Sequence, residues 1–332
     1  MIFQHRIIAV IAFFFCVTLP VFSQHKTVVA KNNIPLDSIG LSDPFVFADK
    51  KSNTYYMTGT GGLLWKSKDL KFWSGPYVIA KPDPQSWMGE SPMIWAAEIH
   101  EHKGKYYYFA TFINEKTIID DKKNVRRACH VLVSDKPDGP YLPMKDATYL
   151  PESMSTLDAT LWIDKDKKPY LVYCHEWVQN NNGTVEKIEL KPDFSGTIGK
   201  GKILFRAKDS PWSKQNENGF IEPNKVTDGP WVFRTKTGKL GMLWTSWVYN
   251  VYTQGVAYSD SGTLDGPWKQ EAEPITPPNF GHGMMFRTFD GKLLMSLHSH
   301  YENNKGKYIR IPKFFEVDDS GDKIKLGKLY VP

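Results

Sequence analysis

Five side chains that can exchange protons recur at the heads of apolar, strand-like stretches of this sequence. They are Asp43, Glu98, Asp158, Asp228 and His282, and successive members are 55, 60, 70 and 54 positions apart. Carboxylates and imidazoles act as general acids and bases when they are held beside a substrate. A single Asp-Pro step such as Asp43-Pro44 is usually a turn, so it is the recurrence that favours a shared site.

The stretches between these residues predict the strands that must position them. No long segment of the sequence shows a 3.6-residue period. Short alternating or apolar runs are instead separated by Gly, Asp, Asn and Lys turns, which is typical of all-β proteins. Five such units repeat, and each is long enough for a sheet of about four strands. Sheets repeated around an axis form a β-propeller, whose closed ring leaves few exposed edges.

A β-propeller would bring the five polar residues together. The first strand of each blade lines the central channel, so residues at the starts of these strands would meet at one mouth of that channel. We therefore predict an all-β, five-bladed β-propeller formed as a single domain by residues 24–332. A stack of open solenoid repeats is the alternative architecture, although solenoid repeats are usually shorter.

The first 23 residues have the pattern of a secretory signal. A short, weakly basic start precedes an apolar run from Ile7 to Leu19, and Val21 and Ser23 suit a cleavage site. The run is shorter than a typical membrane-spanning helix. We expect residues 1–23 to be removed and the mature protein to be secreted or periplasmic, with no membrane anchor.

Composition argues against several other classes of protein. The formal net charge is +6, but the positive charges are dispersed, so the sequence does not indicate a nucleic-acid-binding surface. Cys129 and Cys174 lie in apolar runs and are expected to be buried free thiols, because their spacing suits neither a disulfide framework nor a zinc site. The eleven tryptophans suit stacking on sugar rings, although packing between sheets would explain most of them equally well.

The ordered motifs at the strand heads resemble glycoside hydrolase family 43. These motifs are Asp43-Pro44, Trp-Ala-Ala-Glu at 95–98, Leu-Asp-Ala around Asp158 and Gly-His-Gly around His282. The resemblance covers essentially all of the chain after the signal. It implies a five-bladed propeller that hydrolyses terminal arabinofuranose, xylose or galactose-type sugars with inversion of configuration.

The resemblance also implies roles for two of the aspartates. Asp43 corresponds to the general base, and Asp158 to the residue that orients the general acid and raises its pKa. An inverting glycosidase holds its two carboxyl groups roughly 6.5–9.5 Å apart, which leaves room for the attacking water. Different blades facing one channel could supply this separation.

The general-acid position departs from the family pattern. The family usually has Glu-Gly-Pro at the head of the fourth blade, whereas this chain has Asp228-Gly229-Pro230. The same tripeptide at 138–140 and 265–267 is expected to form simple turns, so Asp228 is either the acid or a turn residue. Glu176 and Glu222 are the alternative acids.

Four residues are predicted to contact the substrate, which would be an oligosaccharide or polysaccharide. These are Trp95, Glu98, Glu176 and His282. Trp95 could form a pocket wall or pack in the core, and Glu98 could bind sugar hydroxyls or stabilise its blade. His282 could help to hold a structural calcium ion in the channel, although a lone histidine is more often a hydrogen-bonded core residue. We expect no required cofactor and a monomer.

The sequence thus predicts a secreted, exo-acting α-L-arabinofuranosidase or β-xylosidase of plant-type saccharides. A galactofuranosidase or β-1,3-galactanase on the same fold is one alternative. A non-catalytic, sugar-binding propeller that lost its general acid is another. The sequence does not name the sugar, because loops such as 83–89 and 180–183 would set specificity.

Overall fold

The computed structural model describes residues 28–302 and 305–332. The predicted signal at 1–23 therefore lies outside the described residues. Five antiparallel sheets surround a central axis, so the predicted all-β, five-bladed β-propeller is confirmed. Within the described part of the chain, no helix has both the length and the apolar character needed to cross a membrane.

Blades one to three contain thirteen strands and one short helix. Blade one consists of β1 (Lys31–Pro35), β2 (Phe45–Asp49), β3 (Thr54–Thr58), β4 (Leu63–Ser67) and β5 (Phe72–Val78). Blade two consists of β6 (Met93–His102), β7 (Lys105–Ile118), β8 (Val125–Ser134) and β9 (Leu142–Pro143). Blade three consists of β10 (Thr156–Ile163), β11 (Pro169–His175), α1 (Trp177–Asn180), β12 (Thr184–Leu190) and β13 (Thr197–Arg206).

Blades four and five each carry an additional hairpin beside the sheet. Blade four consists of β14 (Lys214–Glu217), β15 (Phe220–Pro223), β16 (Asp228–Arg234), β17 (Leu240–Val248), β18 (Val251–Ser259) and β19 (Trp268–Gln270). Blade five consists of β20 (Phe280–Arg287), β21 (Leu293–Ser299), β22 (Tyr301–Glu302), β23 (Tyr308–Ile309), β24 (Pro312–Asp318) and β25 (Lys325–Tyr330). Single 3-10 turns occur at Leu36–Ser38 and Ala207–Asp209.

The ring closes where blade five meets blade one. The inner strands β2, β6, β10, β16 and β20 contact one another in this order, and β20 contacts β2 again. The backbone N–H of Leu41 donates to the carbonyl of Arg310 at 2.9 Å. The backbone N–H of Phe289 donates to the hydroxyl of Tyr55 at 2.8 Å. Hydrogen bonds from both faces therefore fix how the first and last blades meet.

Aromatic side chains fill the spaces between blades. Trp212 and Trp244 pack with ring centroids 4.8 Å apart in the core between blades three and four, and Trp73 is fully buried in blade one. Burial of such large rings contributes strongly to the hydrophobic stabilisation of each interface. Packing between sheets, which the sequence analysis gave as the alternative to sugar stacking, thus accounts for these three tryptophans. The predicted free thiols Cys129 and Cys174 are both buried and unbridged.

One backbone feature repeats at the head of every inner strand. A residue with a positive φ stands there in each blade: Asp43 (56°), Ala96 (43°), Asp158 (55°), Gly229 (50°) and His282 (47°). Residues other than glycine rarely adopt this conformation, which costs on the order of 1–3 kcal/mol. In blades two to five the strand register also shifts at this point, as expected of a bulge.

Each of these five backbone N–H groups donates to a side chain of the preceding blade. The acceptors are His298 for Asp43, Thr60 for Ala96, Thr111 for Asp158, Asp158 for Gly229 and Thr245 for His282, at 2.8–3.1 Å. The bonds offset part of the backbone strain and tie neighbouring blades together at the mouth of the channel. The strand heads therefore form a rigid ring.

This ring corrects the predicted register in two blades. The prediction that Glu98 begins an inner strand is wrong, because β6 begins at Met93 and the ring position in blade two is Ala96. In blade four the ring position is Gly229, so Asp228 lies one residue before it. A bulge adds a residue locally, and a count along the sequence does not show where it falls.

Candidate active site

Three aspartates from three blades surround the imidazole of His282. Its Nδ1 atom lies 2.9 Å from Asp228 Oδ1, 3.2 Å from Asp43 Oδ1 and 3.8 Å from Asp158 Oδ2. Burial disfavours the charged imidazole, but the three carboxylates outweigh burial and raise the pKa of His282 well above its usual value. His282 is therefore an imidazolium at the centre of a carboxylate cluster.

The carboxyl groups of Asp158 and Asp228 have pKa values that are shifted in opposite directions. Burial, followed by the negative charge of Asp228, raises the pKa of Asp158 well above its usual value. Burial opposes ionisation of Asp228 too, but the charge of His282 and hydrogen bonds from His282, Asp158 and Tyr252 lower its pKa. The hydroxyl of Tyr252 donates to Asp228 Oδ2 at 2.7 Å. Asp158 therefore carries the proton and Asp228 stays ionised.

This distribution of charge is the reverse of the predicted one. The sequence analysis expected Asp158 to raise the pKa of Asp228 and keep it protonated as the acid. Tyr252 and His282 reverse this effect, because both donate to Asp228 and stabilise its carboxylate. The structure therefore argues against Asp228 as the proton donor.

Asp43 is held through both its backbone and its carboxylate, and the carboxylate remains accessible. His298 accepts the backbone N–H of Asp43 through Nδ1 at 3.0 Å, and the hydroxyl of Thr60 donates to Asp43 Oδ2. Thr60 also accepts the N–H of Ala96 from blade two. Asp43 still has 15% of its side chain exposed and lines both cavities described below. It is thus oriented but accessible, as a general base must be.

His298 must be neutral in order to accept the N–H of Asp43. Its side chain is only 2% exposed, and burial lowers its pKa to about 4. A neutral ring with a free lone pair on Nδ1 is the tautomer that this hydrogen bond requires. His298 therefore fixes the position of Asp43 without competing for protons near neutral pH.

The buried state of His298 predicts a loss of stability in acid. Its folded-state pKa is lowered, so its contribution is fully present above pH 6.5 and is lost as pH falls, because the unfolded chain then takes up a proton that the folded chain resists. We expect this group to reduce the free energy of unfolding by up to about 3 kcal/mol by pH 4. Urea denaturation of wild type and His298→Asn between pH 7 and pH 4 measures it.

Asn suits this test because its side-chain oxygen can accept the same N–H without titrating. Buried His130, whose pKa is also lowered to about 4, remains in both proteins and cancels in the comparison. Parallel pH dependence in the two proteins would contradict the neutral, buried assignment of His298.

Two cavities open on this cluster and share Asp43, Trp95 and Asp228. The first, of about 170 Å³, is lined by all three aspartates, His282 and Glu176. The second, of about 300 Å³, extends over Tyr252, His298, His300 and Arg310. Aromatic faces next to carboxylates and hydroxyls are what a sugar ring requires from its binding site. The structure therefore places Trp95 and Glu176 in the cavity wall.

The two alternative acids occupy different surroundings. Glu176 is 10% exposed at the first cavity, where its carboxylate pairs with Arg127. The guanidinium of Arg127 in turn stacks on Trp95, 4.6 Å from the ring centroid. Glu222 lies on the exposed β15 hairpin, pairs in register with Gln215, and lines neither cavity of the cluster. Glu222 is therefore not placed to act on a bound sugar.

Glu98 lies deeper in the central channel than predicted. Its carboxylate bonds Nε2 of His100 at 2.7 Å, and it borders a space of only about 10 Å³ beneath the aspartates. That space is enough for about one water molecule and far too small for a sugar. Glu98 lines neither of the two larger cavities, so its placement favours the alternative role, which is to stabilise its blade. Glu98 and His100 support the floor of the site.

The donor set of the cluster does not fit the calcium ion considered above. Atoms of Asp158, Asp228 and His282 lie within 4.8 Å of one another. Calcium takes six to eight oxygen ligands, whereas this group centres on an imidazole nitrogen. That nitrogen already pairs with Asp228 and Asp43 at 2.9 and 3.2 Å. A protonated His282 supplies the positive charge that the carboxylates need.

Sequence reasoning missed four residues that shape the site: Thr60, Arg127, Tyr252 and His298. All four lie on, or just after, the second strand of a blade or on the strand beyond it, where the sequence shows ordinary strand patterns. A repeated polar residue at the end of the second strand, as at Thr60, Thr111, Thr245 and His298, is the signal that could have found two of them.

Comparisons with known proteins agree with the fold and the motifs. A family described as glycosyl hydrolases family 43 matches residues 33–314. No curated protein matches the chain. Among solved structures, the chain is similar to an endo-arabinase from Bacteroides thetaiotaomicron VPI-5482, with 32% identity over 91% of this chain and 98% of that chain and a TM-score of 0.72.

Two further solved structures share the fold at lower identity. One is an endo-1,4-β-xylanase from Bacteroides thetaiotaomicron VPI-5482, with 21% identity over 92% of this chain and 99% of that chain and a TM-score of 0.68. The other is an α-L-arabinofuranosidase from Lactobacillus brevis, with 20% identity over 90% and 97% and a TM-score of 0.66.

Proposed function

Because the chain belongs to glycosyl hydrolase family 43, we propose that it is an inverting exo-glycosidase that releases terminal arabinofuranosyl or xylosyl residues from plant-type saccharides. The observation that carries this proposal is the open carboxylate of Asp43 at a cavity of about 170 Å³. Asp158, Asp228 and Glu176 line the same cavity. Glycoside hydrolysis requires two oriented carboxyl groups beside the sugar, one to act as general base and one as general acid.

In the proposed reaction Asp43 acts as the general base. A water molecule bound between Asp43 and the anomeric carbon gives up a proton to Asp43 as its oxygen attacks the sugar. The bond to the leaving oxygen breaks on the opposite face, and a carboxylic acid protonates that oxygen. Attack from one face with departure from the other inverts the configuration.

The ionised Asp228 suits a supporting role in this reaction. Positive charge develops on the sugar ring in the oxocarbenium-like transition state. A fixed carboxylate near the ring would stabilise that charge more than it stabilises the neutral substrate. Asp228 keeps 24% of its side chain exposed at both cavities, so it can face the sugar while Tyr252 and His282 hold it.

The choice of pentoses rests on the cavity and on the similar structures. Trp95 offers a flat ring at the point where the two cavities meet. The similar structures are described as an endo-arabinase, an endo-1,4-β-xylanase and an α-L-arabinofuranosidase, all of which act on pentose-containing saccharides by those names. Export to the periplasm or the medium, as residues 1–23 predict, would place the enzyme where such polysaccharides are found.

A panel of aryl glycosides tests the activity. We expect the purified protein to hydrolyse the 4-nitrophenyl α-L-arabinofuranoside or β-D-xyloside at least tenfold faster than the galactofuranoside or galactoside. Proton NMR during the first minutes should show the inverted anomer first; an arabinofuranoside of α configuration would release the β sugar. Linear oligosaccharides should release monosaccharide from the outset.

Other outcomes of this panel point to the alternatives. Preference for galactofuranoside would replace the pentose assignment, and release of internal oligomers would replace the exo mode. First release of the retained anomer would contradict Asp43 as the base for water. Sugar binding by calorimetry without turnover of any glycoside would identify a non-catalytic, sugar-binding propeller.

A further inference from the structure

We propose that Glu176, and not Asp228 at the family's usual position, is the general acid that protonates the leaving oxygen. This inference rests on the proposed function, because it concerns the second carboxyl group of the same reaction. Four observations support it: the chemistry around Asp228, the place of Glu176 in the cavity, the way Glu176 is held, and the direction in which its pKa is shifted.

Asp228 is built to remain a carboxylate. It accepts hydrogen bonds from Tyr252 at 2.7 Å and from His282 at 2.9 Å. The net effect of its surroundings is to lower the pKa of Asp228, which makes it a poor proton donor near neutral pH. Asp228 and Asp43 also lie within 3.2 Å of the same nitrogen, His282 Nδ1, so their nearest oxygens are at most about 6 Å apart, which is short for the two working carboxyl groups of an inverting site.

Glu176 lines the same cavity from a different element. It directly follows β11 of blade three, whereas Asp43 stands at the head of β2 in blade one, and the cavity lies between them. Glutamate also has the extra methylene that Asp228 lacks. A side chain from the cavity wall can therefore reach the leaving oxygen without the backbone shift that a shorter acid would need.

The segment that carries Glu176 is anchored on both sides. The backbone N–H of Glu176 donates to the carbonyl of Ser155 at 3.0 Å. Glu176 is the N-terminal cap of α1, where Gln179 Oε1 accepts the backbone N–H of Ser155 at 2.9 Å and also bonds His175 Nε2 at 2.9 Å. These bonds hold the short helix against blade three, so the carboxyl group of Glu176 has a defined position.

Arg127 holds one oxygen of Glu176 and leaves the other for the substrate. The guanidinium of Arg127 pairs with Glu176 Oε1 and is itself packed against Trp95. In the proposed step the proton passes from Glu176 to the glycosidic oxygen as the bond from that oxygen to the anomeric carbon breaks. Glu176 becomes a carboxylate, and Arg127 stabilises the new charge. Asp43 holds the proton of the attacking water until solvent exchange restores both groups.

The net effect of the groups around Glu176 is to raise its pKa above the usual value. Burial raises the pKa of Glu176, and the nearby negative charge of Asp228 raises it further. Arg127 and His175 act in the opposite direction but do not outweigh burial. The negative charge of Asp228 thus favours the protonated form of Glu176, as burial does.

Leaving-group dependence tests the assignment directly. We expect Glu176→Gln to lower kcat/KM on an unactivated disaccharide or oligosaccharide by about 1,000-fold but on the 2,4-dinitrophenyl glycoside by less than about tenfold, since that phenol leaves without a proton. Its activity should also lose the decline at high pH that wild type shows. Asp228→Asn should instead slow both substrates by a similar factor, because it removes stabilisation of the sugar cation. Glu222→Gln is the matched control and should resemble wild type on both substrates.

The possible results separate this inference from the proposed function. If Glu176→Gln folds, by near-ultraviolet circular dichroism, and treats both leaving groups like wild type, Glu176 is not the acid. If Asp228→Asn shows the leaving-group dependence instead, the acid is at the family position. Should Glu176→Gln not fold, Arg127→Lys, which keeps a positive charge beside Glu176, should shift the high-pH decline of activity, and an unshifted decline would overturn the inference. A wild-type protein that hydrolyses no glycoside would overturn the proposed function and this inference together.

Discussion

Asp43→Asn is expected to lower kcat roughly 100-fold to 10,000-fold while leaving the affinity for sugars nearly unchanged. Asn has the shape of Asp and can still accept the hydroxyl of Thr60, but it cannot take a proton from water. The barrier to hydrolysis therefore rises, whereas contacts made equally to substrate and transition state remain. Steady-state kinetics on the best aryl glycoside and calorimetric titration with the free sugar measure the two quantities.

A second Asp to Asn variant provides the control for this result. Asp138 belongs to an identical Asp-Gly-Pro tripeptide to that of Asp228, but its carboxylate is on the surface, where it pairs with Lys66 at 3.1 Å. Asp138→Asn should keep wild-type kinetics. A folded Asp43→Asn protein with near-wild-type turnover would show that another group activates the water. Lost sugar affinity in that variant would show that Asp43 mainly binds substrate.

The propeller was predictable because each of its repeats has a local sequence pattern that indicates strands and turns. Alternating strands, turn residues and a polar head recur five times, and only a closed ring of sheets satisfies all five units. The convergence of Asp43, Asp158 and His282 follows from that ring. The sequence pattern did not predict which residue occupies the ring position at the head of each inner strand. Positive φ at Ala96 and Gly229, with a bulge after each, shifts Glu98 into the channel and Asp228 off the ring position.

The protonation states of the site could not be read from the sequence for a different reason. The tripeptide at Asp228 suggested an acid, but Tyr252 and His282, which set its charge, come from 24 and 54 positions further along the chain. Glu176 pairs with Arg127, which lies in another blade. Charge in a buried site depends on partners that only the fold brings together.

His282→Asn is expected to destabilise the folded protein by about 3–5 kcal/mol, because it leaves buried carboxylates without their cation. Asn is the suitable replacement, since it tolerates the positive φ of 47° at this position better than most residues and thus separates loss of charge from backbone strain. The pKa of His282 is raised in the folded state, so its contribution is complete below pH 6.5 and is lost as pH rises through the folded-state pKa. Urea denaturation at pH 6 and at pH 9 should therefore show a smaller difference from wild type at the higher pH.

A double-mutant cycle with Asp228→Asn identifies the source of this effect. Removing the charge of Asp228 together with the cation relieves part of the repulsion with Asp43. The double variant should therefore be more stable than the sum of the two single changes predicts, by roughly 1–3 kcal/mol. Additive changes, or a His282→Asn protein as stable as wild type, would mean that the imidazolium does not hold the cluster together. In that event the carboxylates of Asp43 and Asp228 at the mouth of the channel would need another source of positive charge.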